Sequence, residues 1–307
     1  LTRPSLPAAP RLSCTTVNKL AYTRLNMPSS WLTQRGSPVR SQYPPVLCET
    51  HDVRVYVSGA KRFLQFRGTG VAGTSPWRNN EALVYCQGRT DSCTKSQGAV
   101  SSAAQCAPCP CIPYPSHPDW TVHGFGYVQL MFDQIIPHDP RCSLRPSMTS
   151  TSTPRFRLLQ IGLGGGTFPF AAKRRCNAIV DVIEKQQDVV SIAQKFFGFD
   201  VGDGRLIVND GLVGLKQLTH TYDAVVIDCM IQGITPDGCK SPEFVREIAR
   251  HVKPSGHIAQ WAWGVDRTNL RDAYKQYFHN STVRIYGGVG GVLHVSGRKQ
   301  RPRDLAR

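Results

Sequence analysis

Phe156-Arg157-Leu158-Leu159-Gln160-Ile161-Gly162-Leu163-Gly164-Gly165-Gly166-Thr167 decides the fold of this 307-residue chain. Phe156–Ile161 reads as an apolar strand that stops abruptly at a run of glycines, which let the backbone turn tightly and lie close to a ligand. The spacing predicts a helix over Phe168–Arg175, whose free N–H groups point at whatever the loop holds. The next strand, Ala178–Ile183, ends in Glu184, 22 residues past Gly162, the usual place for a carboxylate that grips ribose hydroxyls. A third strand, Arg205–Val208, ends in Asn209-Asp210-Gly211, and a fourth, Ala224–Ile227, ends in Asp228. Together these features predict a nucleoside site on a doubly wound α/β sheet.

A dinucleotide fingerprint wants its third glycine five residues after the first, but that place is Thr167. The glycines fall instead at Gly162, Gly164 and Gly166. With Glu184, Asp210 and Asp228 in register behind them, the pattern resembles the S-adenosylmethionine site of class I methyltransferases. A tight strand-to-helix turn with no ligand is the plain alternative for the loop taken alone.

The flanking sequence completes such a sheet. Ser241-Pro242-Glu243 opens a helix to His251, with Ser in the capping position and Pro just inside it. Lys253–Gly256 reads as a turn, His257–Ala262 as a fifth strand, Asp266–Phe278 as a helix, and Thr282–Tyr286 with Gly291–Val295 as a closing hairpin. The expected fold is therefore α/β, a class I methyltransferase-like Rossmann fold: seven strands with an antiparallel last strand, over residues 124–297. Upstream, Val53–Val57 and Arg62–Phe66 read as a β-hairpin within 47–67, and Tyr127–Ile136 as a helix that buries Leu130 and Met131.

The remaining segments carry less pattern. Residues 1–46 hold six Lys or Arg and no acid, with many Ser, Thr and Pro; they read as a disordered leader, similar in composition to an organellar transit peptide. Residues 68–123 read as an inserted Cys-rich stretch. Its Cys106-Ala107-Pro108-Cys109-Pro110-Cys111 cluster, near His117 and His123, leaves a metal site, a disulfide or free thiols open, but no second ligand pair completes a zinc site and no metal is expected. Cys142, Cys176, Cys229 and Cys239, of 11 cysteines in all, are expected to be packing thiols rather than bridges. Residues 298–307 read as a solvated basic tail.

Lys and Arg exceed Asp and Glu by 37 to 21, a net charge of +16 that favours anionic partners over free polycations. No single helix concentrates the excess, so nucleic-acid binding is not indicated. No apolar run has the length of a membrane span, which leaves a soluble protein, cytoplasmic or organellar, as the expectation. Oligomeric state stays open, a homodimer included.

The order of hairpin, Tyr-bearing helix, Ile161–Gly166 loop, Val182-Ile183-Glu184, Asn209-Asp210-Gly211 and Val225-Val226-Ile227-Asp228 resembles the spermidine synthase superfamily, polyamine aminopropyltransferases together with their methyltransferase-like relatives. The resemblance covers residues 53–67 and 124–297. It implies that Gly162, Gly164 and Gly166 cradle the methionine part of S-adenosylmethionine or its decarboxylated form. Glu184 would hold the ribose, Asp210 with Gly211 the adenine, and Asp228 the acceptor, with Tyr127 and Gln65 beside them. Two departures bear on the reaction. Where aminopropyltransferases carry an acid in the loop, this chain has Gly165, and Asp228-Cys229-Met230-Ile231-Gln232 lacks their second acceptor acid. A buried ammonium without a partner costs several kcal/mol. The expectation is thus methyl transfer to an unknown acceptor, with aminopropyl transfer and a non-catalytic nucleoside-binding homologue as alternatives.

Overall fold

The computed structural model describes residues 46–58, 61–67, 77–85, 126–136, 139–142, 154–230, 235–286 and 290–299. The cluster Cys106–Cys111, His117 and His123 lie outside these residues, as does the leader apart from Val46.

Strands β1 (Val46–Glu49), β2 (Val53–Ser58), β3 (Lys61–Arg67) and β4 (Trp77–Tyr85) form an antiparallel sheet in sequence order. The expected hairpin is its centre, with Val53 opposite Phe66 and Ser58 opposite Lys61. The sheet is wider than expected at both edges, and β4 lies in the stretch read as a Cys-rich insertion with little periodicity. Its central Asn79-Asn80-Glu81 break the alternation by which strands are recognised.

Helix α1 (Gly126–Ile135) leads through a 3-10 turn, Pro140–Cys142, into the main sheet. There β5 (Arg157–Ile161), α2 (Thr167–Cys176), β6 (Ile179–Glu184), α3 (Gln187–Phe197), β7 (Leu206–Val208), α4 (Gly211–Leu215) and β8 (Tyr222–Ile227) alternate. They are followed by α5 (Pro242–His251), β9 (Val252–Trp263), α6 (Gly264–Tyr274), β10 (Phe278–Tyr286) and β11 (Gly290–Arg298). The sheet order is β10-β11-β9-β8-β5-β6-β7, with β11 antiparallel to both of its neighbours. The seven-stranded sheet with an antiparallel last strand is the fold expected from the sequence. Local chemistry sets its helix starts: Ser241 accepts from the Phe244 N–H with Pro242 just inside, and Gly198 ends α3 at φ 70°.

Alternation along the strands sends side chains to two cores. Leu158, Val182, Val226 and Ala259 pack under α1, α2, α3 and the small sheet, where Val53, Val55 and Leu64 are fully buried. Leu159, Ile183, Val225 and Ile258 pack under α4, α5 and α6. The active end of such a sheet is the carboxyl end of its parallel strands, where chain order reverses between β5 and β8.

Three expectations need correcting here. The thiols taken as packing residues are two disulfides, Cys142–Cys176 and Cys229–Cys239, and Cys48 is disulfide-bonded as well. Chain reversal brings each pair together across segments whose contact no local spacing reveals. The turn at Lys253–Gly256 is a bulge inside β9: Tyr222 faces Val252 while Ala224 faces His257. Arg298, read as the start of a solvated tail, donates to the Ala249 and Val252 carbonyls and closes the end of α5. No helix among the described residues is long and apolar enough to cross a membrane.

Candidate functional site

At the carboxyl ends of β5, β6, β7 and β8 lies a cavity, also walled by Asp52, Phe66 and Arg67 of the small sheet and Val128 and Met131 of α1. The glycine loop forms its floor. Gly162 adopts φ +84°, and a Cβ there would sit 2.3 Å from the Asp228 carbonyl oxygen. Only a glycine allows the two strand tips to lie that close. Gly164 (φ +53°) also lines the cavity. Gly166 (φ +76°) does not; a Cβ there would meet the Phe199 ring at 2.9 Å, so it shapes the turn into α2 without lining the cavity.

Glu184 is where the sequence places it, at the tip of β6, and is 8% exposed. Its Oε2 accepts from the Leu163 N–H at 2.8 Å and its Oε1 from the Gln186 N–H at 2.8 Å. The carboxylate thus pins the glycine loop, and its two oxygens have more acceptor sites than these two bonds use. Burial pushes its pKa up, against the lowering pull of these backbone bonds. Asp210 caps α4 by accepting from the Leu212 N–H and lies 3.9 Å from the Lys185 ammonium. Its carboxylate sits against Gly238, where a Cβ would approach both oxygens to 2.8 Å. Gly211 is similarly confined by Cys239 and Ile161.

Asp228, at the tip of β8, faces the cavity. Burial and then the nearby Glu184 charge push its pKa up to about 6, although the Tyr127 hydroxyl, donating to Oδ2 at 3.1 Å, pulls it down. A carboxyl poised there exchanges protons near neutral pH. Tyr127 is not in the cavity wall; its ring packs on Trp261 at 4.6 Å, and it serves the site through its bond to Asp228.

Gln65 is displaced from its expected role. Its Oε1 accepts from Arg54 Nε at 2.8 Å across the β2–β3 pair, and its neighbours Phe66 and Arg67 reach the cavity in its place. Alternation along β3 puts Gln65 on the face opposite Leu64 and Phe66, which pack on the core. Sequence reasoning also passed over Gln160, Lys185 and Gln186, which line the cavity, and the Cys229–Cys239 bridge in its wall. Gln160 was in plain view as the one polar residue among Leu158, Leu159 and Ile161.

No family-level sequence profile matches the chain. It is 25% identical over 151 residues to a polyamine aminopropyltransferase of Chromobacterium violaceum, covering 47% of this chain and 58% of that protein. It is 29% identical over 139 residues to spermidine synthase 1 of Hyoscyamus niger, covering 43% and 41%. The chain therefore spans about half the length of the curated relatives it matches. Among solved structures, a probable spermidine synthase from Corynebacterium glutamicum superposes with a TM-score of 0.52 at 12% identity, over 85% of this chain and 81% of that one. The chain is thus similar in sequence to part of the polyamine aminopropyltransferases and in fold to a spermidine synthase. Glu184, Asp210 and Asp228 converge on the cavity at the tips of the parallel strands. Among the described residues no cluster of His, Cys, Asp and Glu has the geometry of a metal site.

Proposed function

We propose that the cavity binds S-adenosylmethionine and that the chain transfers its methyl group to an acceptor nucleophile presented to Asp228. The observation that carries this reading is Gly165: it lines the cavity at the position where the superfamily's aminopropyltransferases hold the amine of the decarboxylated nucleoside with an acid. A cationic tail with no carboxylate of its own lacks that counter-charge here. An intact methionine tail brings both charges and asks of the loop only N–H groups and neutral acceptors.

In this reading Glu184 takes the ribose hydroxyls on its free lone pairs, and Asp210 takes the adenine edge. The acceptor's lone pair attacks the methyl carbon, the carbon–sulfur bond breaks, and its electron pair stays on sulfur as a neutral thioether. The proton released by the acceptor passes to the Asp228 carboxylate, whose pKa of about 6 suits it as a base at neutral pH.

The names of the curated relatives favour a second reading, aminopropyl transfer to a polyamine. One comparison separates the two. Methyl transfer requires that S-adenosylmethionine raise the melting temperature more than its decarboxylated form at equal concentration, and that no spermidine form from putrescine and the decarboxylated donor. Spermidine formation, or tighter binding of the decarboxylated donor, would reverse the assignment.

A further inference from the structure

The Cys229–Cys239 bridge is part of the cavity wall. Cys229 follows Asp228 at the tip of β8, Cys239 closes the 3-10 turn Asp237–Cys239, and both line the cavity. A Cβ on Gly211 would lie 3.2 Å from Cys239 Sγ, and Gly238, one residue earlier, packs on the Asp210 carboxylate. The bridge therefore joins the segment that carries Asp228 to the turn behind Asp210 and Gly211. The other bridge, Cys142–Cys176, has neither residue in the cavity wall.

Each end is also held by bonds that do not need the bridge. The Asp228 N–H donates to the Ile161 carbonyl at 2.8 Å, and its carboxylate accepts from Tyr127. The Cys239 carbonyl accepts from Gln260 Nε2 at 2.7 Å, and the fully buried Gln260 is fixed in turn by the Tyr274 hydroxyl, which donates to its Oε1 at 2.8 Å. Opening the disulfide leaves these anchors in place and removes only the covalent link between them. Cys229 is half-buried and Cys239 is 4% exposed, so a thiolate entering the cavity meets the Cys229 sulfur first. Attack there forms a mixed disulfide and leaves the electron pair of the broken S–S bond on Cys239 Sγ, which takes up a proton. The second thiol of a dithiol then displaces Cys229 as a thiol, so that the dithiol is oxidised and the bridge reduced by two electrons.

We propose that this bridge is a thiol-exchange site that sets the affinity of the cavity for its nucleoside. This rests on the nucleoside reading of the cavity and adds a control over it. Closed, the bridge orders the two segments before the ligand arrives. Opened, it leaves that ordering to the binding step, so the reduced protein stays folded and binds more weakly. Linkage makes the effect reciprocal: the nucleoside must protect the bridge from reduction by the same factor.

The test uses the full chain with S-adenosylhomocysteine and with 5′-methylthioadenosine, which lacks the amino-acid tail. Calorimetry is expected to show both ligands weakened about tenfold when the bridged protein is reduced with dithiothreitol, a common size for coupling between two sites. Cys229→Ser with Cys239→Ser should bind like the reduced protein and no longer respond to dithiothreitol, whereas Cys142→Ser with Cys176→Ser should still respond. If these variants do not fold, the wild type decides the matter in buffers of fixed reduced-to-oxidised dithiothreitol ratio, its thiols trapped by alkylation and located by peptide mass. Saturating S-adenosylhomocysteine should raise the ratio that half-opens Cys229–Cys239 by the same tenfold and leave Cys142–Cys176 unmoved. Equal affinity in the two states, or tighter binding by the reduced protein, would overturn the proposal and leave the nucleoside site standing. A ligand shift shared by both bridges would report general stabilisation and overturn it as well. So would a loss on reduction that persists in Cys229→Ser with Cys239→Ser, because the sensitive thiols would then lie elsewhere. Bridged protein that binds neither nucleoside would overturn the nucleoside reading together with this inference.

Discussion

Replacing Asp228 by Asn should stabilise the protein at neutral pH and do nothing at low pH. The folded state holds this carboxyl at about 6, against 3.8 for the unperturbed group, because burial and the Glu184 charge disfavour its ionised form. A pKa raised by folding means that the folded state binds the proton more tightly than the unfolded chain. The associated stability is fully present below about pH 4 and is lost as pH rises through about 6. Over that window the loss is about 3 kcal/mol for a change of this size. Asn keeps an oxygen to accept from the Tyr127 hydroxyl and never ionises. Melting curves of wild type and Asp228→Asn, taken from pH 4 to pH 8, should coincide at the acid end and separate by roughly 6–12 °C at the neutral end, with the variant the more stable. Denaturant titration should give the same gap as a free energy. A gap that stays constant across the range would mean that Asp228 does not titrate in the folded state, and a gap of opposite sign would mean that its ionised form is stabilised by a partner the structure does not contain. Either result would remove the basis for calling it a base poised near neutrality.

Tyr127→Phe removes the hydrogen bond that lowers the Asp228 pKa, so the midpoint of the same pH titration should move to higher pH; an unmoved midpoint would show that the hydroxyl does not reach the carboxylate in solution. Gly162→Ala should cost about 2–5 kcal/mol in thermal or denaturant unfolding, since it combines a left-handed backbone with a Cβ 2.3 Å from a carbonyl oxygen; a loss under 1 kcal/mol would mean the loop and the β8 tip can separate freely. Glu184→Gln should weaken adenosine binding with little change in fold, because the amide oxygen can still accept one backbone N–H, whereas Glu184→Ala should weaken binding and stability together by releasing the Leu163 N–H; calorimetry and melting on both variants separate the two roles. The double variant Cys229→Ser with Cys239→Ser should lose about 3 kcal/mol of stability and become insensitive to thiol reductant at this site, as measured by melting with and without reductant.

What the sequence disclosed, it disclosed through local rules. The glycine loop, the carboxylates at the tips of β6, β7 and β8, the Ser241 cap and the closing strands are all set by short-range periodicity and turn chemistry, and the structure has them within a residue or two, apart from wider ends at β9, β10 and β11. What stayed hidden depends on contacts between distant segments. Cys142 with Cys176 and Cys229 with Cys239 are paired by how the chain returns on itself, and spacing alone does not specify pairing. Gln65 stands on the other face of β3 from Leu64 and Phe66, and which of the two faces is buried depends on how the small sheet docks on the main one. Gln160 was hidden differently: one polar residue in an apolar strand looks like noise until the structure shows it buried, with no partner for its oxygen among the described residues.

The two bridges set conditions for handling the protein. One staples the turn before β5 to the end of α2, and the other joins the residue after Asp228 to Cys239, which lies beside Gly211 in the cavity wall. Material produced in a reducing bacterial cytosol would carry four thiols there in place of two covalent links, and two of those thiols would border the very wall under assay. Preparations from an oxidising secretory route and from cytosolic expression are then chemically distinct samples, to be told apart by intact mass before any affinity is compared.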